Sequence, residues 1–353
     1  MTDADDARRQ PTIVEVADRA GVAIGTVSRY LNGQPVRASN RTQIARAINE
    51  LGYRRNALAA AMKTDLTNTV GFLVPNISDF HAAVLENLSR LMRRQGRALL
   101  AYCHNDETDS VLELLDFFDS HRVDALVMDG RYDAADRIQE FVEAGTPVIF
   151  YDNDADGPPV DRVFVENQAA SFRAVSYLLD IGHSRVAVLT GDTKVTAGRQ
   201  RYEGYRQALL SRGFEIDPAY VLDSHWNENE AYSGMLQLLT LPEPPTAVYC
   251  CNYNMGVGAL RRIKEQGLRI PDDISVVSFD DVPLFRLHES GVTAIAQPVA
   301  KIAETISSML TSRLSDRGRA HAPHTITLDC DIILRGSTRR LLTPENITKR
   351  PRK

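Results

Sequence analysis

The chain has 353 residues, 43% of them hydrophobic and 25% charged, which is the balance of an ordinary folded protein with room for two or three domains. No apolar run is long enough to span a bilayer, and the opening MTDADDARRQ is acidic with no apolar centre, so neither a membrane segment nor a signal peptide is expected. The net charge of −5 is uneven: residues 1–64 hold ten Lys and Arg against six Asp and Glu, so a head of +4 precedes a body of −9, a distribution that suits a polyanion-binding head.

Residues 1–10 are expected to be disordered. Thr12 with Glu15 three residues on forms a capping box, which marks a helix start. Ile13, Val16, Ala17 and Ala20 then recur on one helical face, and Gly21 ends the run where a positive φ is cheap. A second helix from about Ile24 to Leu31 turns Val27 and Leu31 inward. Two short helices around a glycine turn make a helix-turn-helix, whose second helix can lie in the major groove of DNA and read base edges. A third helix, roughly Asn40 to Leu51, carries Ile44, Ala47, Ile48 and Leu51 on its apolar face, and Gly52 stops it. These elements define a DNA-binding domain over residues 11–55. Residues 56–63, NALAAAMK, are alanine-rich but too short for a helix stable by itself.

From Val70 the pattern changes to strand–helix alternation. Strand-like runs are Val70–Val74, Ala98–Ala101, Ala125–Met128, Pro147–Tyr151, Val163–Val165, Val186–Leu189, Ala247–Cys250 and Ser275–Phe279. Helices are expected over Phe80–Gln95, 109–120, 168–181, 199–212, 228–240 and 255–266. Such alternation implies parallel sheets covered by helices, and its restart after Val165 implies two similar lobes. The fold class expected is thus an all-α helix-turn-helix head joined to an α/β body of two doubly wound parallel-sheet lobes. The body resembles the periplasmic-binding-protein fold, in which hinge closure traps a small ligand. The chain is expected to cross between lobes near 164, 293 and 322, giving lobe one about 66–164 and 294–322 and lobe two about 165–293 and 323–340.

Open α/β sheets bind ligands at the carboxyl ends of their strands, and five residues stand in such places. Asp152 follows PVIFY, Arg199 opens a helix after GDTKVTAG, Asn252 follows AVYCC and Asp280 follows SVVSF. Trp226, the single tryptophan, lies just beyond Tyr220–Asp223. Carboxylates, an arginine and an amide around an aromatic face suit a polyhydroxylated ligand. Each has another reading: Asp280 as a structural cap, Arg199 as a bridge between lobes, Trp226 as core.

Thr26-Val27-Ser28-Arg29, Leu31-Asn32-Gly33, Ala47-Ile48-Asn49-Glu50-Leu51-Gly52-Tyr53 and Asn56-Ala57-Leu58-Ala59 together resemble the LacI/GalR transcriptional repressors, and the resemblance extends over about residues 11–340. It implies that Ile24, Gly25 and Arg29 face base edges. Arg29 offers a bidentate fork to guanine, whereas Ile24 offers only apolar contact and Gly25 no side chain. Thr12, Thr26, Ser28, Asn32, Tyr53 and Asn56 are read as DNA contacts beside them, several with short donors suited to phosphates. The resemblance makes 56–65 a hinge helix that forms on operator DNA, with Met62 as minor-groove wedge and Lys63 after it. It supports Asp152, Arg199, Trp226, Asn252 and Asp280 as effector contacts, and adds Phe80 and Asp129. Three residues depart from the family pattern: Ala23 replaces the serine that caps the second helix, Arg55 replaces a proline, and Tyr253 replaces an aspartate often found after the asparagine.

The function expected is a cytoplasmic, sequence-specific repressor, controlled by a small-molecule effector between the lobes, with sugar favoured by Trp226 and induction as its sense. Two recognition helices are needed for a pseudopalindromic operator, so a homodimer is expected, with Val84, Leu88, Leu91 and Met92 serving either its interface or the core. The alternatives are a sugar-binding module or enzyme of the same α/β class, and a regulator answering to a purine or a protein partner. No glycine-rich phosphate loop favours catalysis, and His183 with Ser184 reads as structural. Cys103, Cys250, Cys251 and Cys330 form no CxxC pair or zinc spacing and read as reduced thiols; no metal or cofactor is expected. The tail 341–353 lacks heptads, which excludes a coiled coil, and its basic KRPRK end is expected to be disordered.

Overall fold

The capping box at Thr12 sets the first element of the head. Thr12 Oγ1 accepts the Glu15 N–H at 3.3 Å while the Glu15 carboxylate accepts the Thr12 N–H at 2.6 Å, which opens α1 (Ile13–Ala20). The computed structural model describes residues 11–31, 33–54, 66–105, 107–316 and 322–341. The expectations for residues 1–10, Asn32, Arg55, the 56–65 hinge with Asn56, Met62 and Lys63, and the tail from 342 onward lie outside them. The chain divides into a head within Met1–Thr67 and a body within Asn68–Lys353.

In the head, Gly21 closes α1 at φ 63 with its N–H on the Ala17 and Asp18 carbonyls, the left-handed cap that favours glycine. α2 (Ile24–Leu31) and α3 (Ala38–Leu51) follow. Val16, Ala17, Ala20, Val27, Ile44 and Ala47 are buried together, and Ile13, Leu31, Ile48, Leu51 and Tyr53 pack around them. An Arg19–Glu50–Arg46 ion cluster ties α1 to α3 on the outside, at 2.6 and 2.7 Å; these are exposed pairs, worth little beside the core.

The body contains two six-stranded sheets with the same strand order. The first runs β2 (Ala98–Cys103), β1 (Thr69–Val74), β3 (Ala125–Met128), β4 (Val148–Tyr151), β5 (Asp161–Val165), β11 (Thr325–Leu328), all parallel. The second runs β7 (Val221–Asp223), β6 (Val186–Thr190), β8 (Ala247–Cys250), β9 (Ser275–Phe279), β10 (Thr293–Ala296), β12 (Asp331–Ile333), with only β12 antiparallel. In both, the first strand sits between the second and third, which places a topological switch point beside β1 and another beside β6. Helices α4 (Asp79–Arg94), α5 (Thr108–Ser120) and α6 (Ala135–Glu143) serve the first lobe. Helices α7 (Asn167–Asp180), α8 (Thr196–Ser211), α9 (Glu228–Leu239), α10 (Tyr253–Glu265) and the short α11 (Pro283–Leu287) serve the second, and α12 (Val299–Ser315) returns to pack on α4 and β5.

Two lobe crossings fall later than expected. Thr293–Ala296 pairs in parallel with β9, and Thr325–Leu328 pairs in parallel with β5. The chain therefore leaves the second lobe just after β10, a few residues beyond the expected 293, and returns to it after β11, beyond the expected 322. Alternation alone identifies strands but not the sheet that each joins. Helices α6 and α12 had no counterpart in the sequence reading. Val84, Leu88 and Met92 are fully buried in the core, so they form no exposed interface on α4. Burying each such side chain contributes about 1.5–3 kcal/mol.

Among the described residues, no helix is long and apolar enough to cross a membrane, and no group of three or more His, Cys, Asp or Glu is placed to hold a metal ion.

Candidate functional site

The recognition surface of the head is an exposed face of α2. Ile24 is 45% exposed, and Gly25 and Arg29 lie open on the same helix, with Thr26, Ser28 and Tyr30 half-buried beside them. A Cβ at Gly25 would meet nothing within 4 Å, so that position leaves open space toward any partner. Among the described residues the Arg29 side chain makes no hydrogen bond or ion pair. An uncommitted guanidinium beside an exposed apolar residue is chemically suited to a base edge. Ala23 has no side-chain acceptor for the start of α2; only its carbonyl serves, accepting the Thr26 and Val27 N–H groups at 2.8 and 3.3 Å. The Thr12 hydroxyl is engaged with Glu15, and Tyr53 packs half-buried on the head core.

In the body, a cavity of about 910 Å³ opens between the lobes at the carboxyl ends of the strands. It is lined by Phe80, Asp129, Asp152, Trp226, Asn252 and Asp280, six of the seven expected effector residues. The first lobe supplies Phe80 from the start of α4 and the two aspartates that follow β3 and β4. The second supplies Trp226 after β7, Asn252 after β8 and Asp280 after β9. Asp152, Trp226 and Asp280 take φ values of 64, 61 and 70°, a left-handed backbone that non-glycine residues seldom adopt and that clusters at functional sites.

Arg199 is not part of this wall. It is exposed, and its guanidinium reaches back to the Lys194 carbonyl at 3.2 Å and Thr196 Oγ1 at 3.4 Å. Arg201, two residues on, is the arginine that α8 turns into the cavity. Two residues along a helix is a rotation of roughly 200°, so the two side chains leave α8 on nearly opposite sides. Arg201 is 4% exposed. Its Nε donates to Asn167 Oδ1 and its Nη1 to the Cys251 carbonyl, both at 2.8 Å. Its guanidinium carbon lies 3.6 Å from the centre of the Phe279 ring and 5.6 Å from that of Trp226. The indole in turn lies against bare backbone, because a Cβ at Gly191 would come within 2.2 Å of Trp226 Cδ2 and Cε2. Glycine is required there for that close approach.

Further lining residues were absent from the sequence reading. His81 turns inward from α4, its Nδ1 against the Asn76 carbonyl at 2.9 Å and Ser78 Oγ at 3.1 Å. Its Nε2 has no hydrogen-bond partner and stands 3.6 Å from Asp152 Oδ2. Burial pushes the imidazole pKa down, but the contact with Asp152 and the charges of Asp152 and Asp129 outweigh it, and the net direction is up. Asp152 is raised by burial yet falls below its ordinary value, because His81 and Arg201 favour the carboxylate. Asp280 is raised: its burial outweighs the attraction of Arg201 and the Gln297 amide, which donates to Asp280 Oδ1 at 2.7 Å. Asp129 Oδ1 stands 3.1 Å from Nε2 of the fully buried His104.

Three contacts join the lobes at this cavity. Tyr253, at the start of α10, accepts the Asp79 N–H on its hydroxyl at 3.2 Å. Asn153 Oδ1 accepts the Ala197 N–H at 3.1 Å, beside a Thr196–Asp154 contact at 3.4 Å. The aspartate-to-tyrosine departure thus places a phenol across the cavity from one lobe to the other.

Comparison with known proteins bears on both parts of the chain. Residues 12–56 match the family described as bacterial regulatory proteins, lacI family, and residues 175–338 match the periplasmic binding protein-like domain. The HTH-type transcriptional repressor CytR of Escherichia coli K12 is 30% identical over 332 residues, covering 94% of this chain and 97% of CytR. The solved complex of the transcriptional regulator CelR with cellobiose superposes with a TM-score of 0.70 at 28% identity, over 93% of this chain and 100% of CelR. The lac repressor dimer bound to operator and the anti-inducer ONPF shares the fold at a TM-score of 0.81 and 22% identity, over 94% of this chain and 100% of that one. The relatives that match head and body together are transcriptional regulators and not enzymes. The chain belongs to the lacI family of bacterial regulatory proteins and is a DNA-binding transcriptional repressor.

Proposed function

We propose that the interlobe cavity binds a small polyhydroxylated effector, a sugar or sugar derivative, and that its binding releases the operator. The observation that carries this reading is the placing of Asp152 and Asp280, from facing lobes, around Arg201 and the Trp226 indole in one cavity. Carboxylates and amides accept from and donate to hydroxyl groups, and an indole packs on the C–H face of a sugar ring. The solved complex of CelR with cellobiose supports a sugar in this chain as well. Cytoplasmic residence and a homodimer reading a pseudopalindrome go with this reading, since one short recognition helix makes too few contacts. The lac repressor dimer bound to operator supports that arrangement. Within the head, Ile24, Gly25 and Arg29 read bases while Thr26 and Ser28 hold phosphates.

The test is operator binding by the full chain, at fixed salt, on a site obtained by in vitro selection. Sugars, polyols and purines are then added in turn. A sugar that lowers operator affinity by about 5–150-fold, the usual range of such coupling, supports the proposal. A response confined to free purine bases, which carry no sugar, or none to any small molecule, contradicts it. Removal of residues 1–64 abolishes operator binding and leaves the sugar bound if the two sites divide as proposed.

A further inference from the structure

Four helices begin at the wall of the cavity: α4, α8, α9 and α10. A helix N-terminus offers unpaired N–H groups and a positive dipole end, and four together would favour an anion. Each of these four already has a neutral side-chain oxygen on its first turn. Ser78 Oγ accepts the His81 N–H at 3.2 Å, and Asn252 Oδ1 accepts the Met255 N–H at 2.9 Å. Asn227 Oδ1 accepts the N–H groups of Asn229 and Glu230 at 2.8 and 3.2 Å. For α8 the residue in the cap position is Val195, which has no acceptor, and Asn153 of the other lobe supplies one.

The side-chain charges point the same way. Seven carboxylates line the cavity against three Lys and Arg. Of the three cations, Arg131 chelates Asp133 through two hydrogen bonds of 2.9 and 2.7 Å. Lys194 is exposed. Arg201 is held by Asn167 and Cys251, and it faces both Asp152 and Asp280. Besides the exposed Lys194 at its rim, the cavity leaves uncommitted some acceptor capacity on Asp152 and Asp280, together with two buried atoms without hydrogen-bond partners, His81 Nε2 and Gln297 Oε1. Those atoms match hydroxyl groups, which both donate and accept.

We propose that the effector is an uncharged glycoside, and that the cavity turns away the phosphorylated form of the same molecule. The inference rests on the reading of the cavity as the effector site. A phosphate monoester carries about −1.5 to −2 charges at neutral pH, and here it would meet capped helix ends and two carboxylates. At 910 Å³ the cavity lies near the top of the usual range for small-ligand pockets, which leaves room for a second ring, either another sugar or a nucleobase.

The experiment is a thermal-shift and calorimetric titration of the full chain with matched pairs: ribose, cellobiose and adenosine, each beside its phosphate monoester. The expected result is that at least one uncharged member binds and that its phosphate binds weaker by on the order of a hundredfold, the scale of a like-charge juxtaposition. Binding of cellobiose alone or adenosine alone identifies which second ring is taken. A phosphate ester that binds as tightly as its parent, or tighter, overturns the inference and leaves the cavity an effector site. Binding by no member of any pair overturns both the inference and the effector reading.

Discussion

The amide oxygen of Asn153, in the first lobe, caps the backbone N–H of Ala197, in the second, at 3.1 Å. Helix α8 thereby receives across the cleft the acceptor that its own Val195 cannot give. One contact here both ties the lobes together and completes a helix end, and Tyr253 with Asp79 makes another tie.

Asn153→Ala removes that cap while leaving both lobes intact. A lost cap costs about 1 kcal/mol, so the closed form loses about that much, and effector affinity drops roughly fivefold. Calorimetric titration of the variant measures this, with operator affinity of the ligand-free protein unchanged. An effector affinity equal to that of the parent protein would show that the contact does not help hold the lobes closed.

Arg201 and Arg199 separate by function. Arg201→Ala removes the donors to Asn167 and Cys251 and the stack on Phe279, which lowers stability by about 2 kcal/mol or more and ends the effector response. Arg199→Ala, at an exposed position, stays within about 0.5 kcal/mol of the parent and responds normally. Urea unfolding and effector titration on both variants check the pair; a normal response in the Arg201 variant removes it from the site.

Arg29→Ala tests the open face of α2. Operator affinity falls by about 1–3 kcal/mol, and preference relaxes at one base pair of each half-site. Competition between operator variants at constant salt reads both effects. Uniform weakening across all sequences would reassign Arg29 to a phosphate.

His183 gives a pH signature to the second lobe. It is 2% exposed, with Nδ1 at 2.9 Å from Thr246 Oγ1 and Nε2 at 3.2 Å from the Arg339 carbonyl. Burial pushes its pKa from 6.5 down to about 4, against the opposing pull of the Arg339 carbonyl. Between those values the unfolded chain takes up a proton that the folded chain refuses. Its contribution is whole above 6.5 and is lost as pH falls toward 4, by up to about 1.4 kcal/mol per unit. His183→Gln flattens that part of the stability profile in urea melts; an unchanged slope refutes the assignment.

Local patterns carried much of the architecture. The capping box, the glycine stops and the 3.6-residue stripes place α1, α2 and α3 to within a residue or two, and β3, β8 and β9 match their apolar runs end to end. The strand-end rule found Asp152, Trp226, Asn252 and Asp280 because each lies within a few residues of a strand's end, while Phe80 and Asp129 came from the family resemblance. Arg199 was chosen for opening a helix, but helical phase decides which arginine faces the cavity. Arg201 shares the buried stripe of Ala197, Gly204, Tyr205 and Ala208, and a charged residue on such a stripe is a signal in itself. His81 was legible by the same test, on the stripe of Val84, Leu88 and Met92. Asn153 and the two late crossings depend on which sheet a segment joins, a non-local choice with no mark in local sequence.

In the proposed function the cavity and the operator-binding head are coupled, and coupling of two binding sites is reciprocal. The decisive measurement is a closed cycle: operator affinity with and without saturating effector, and effector affinity with and without saturating operator, in one buffer. Reciprocal coupling gives the same factor from both sides, with each ligand weakening the other. An operator affinity indifferent to a ligand that fills the cavity would contradict it.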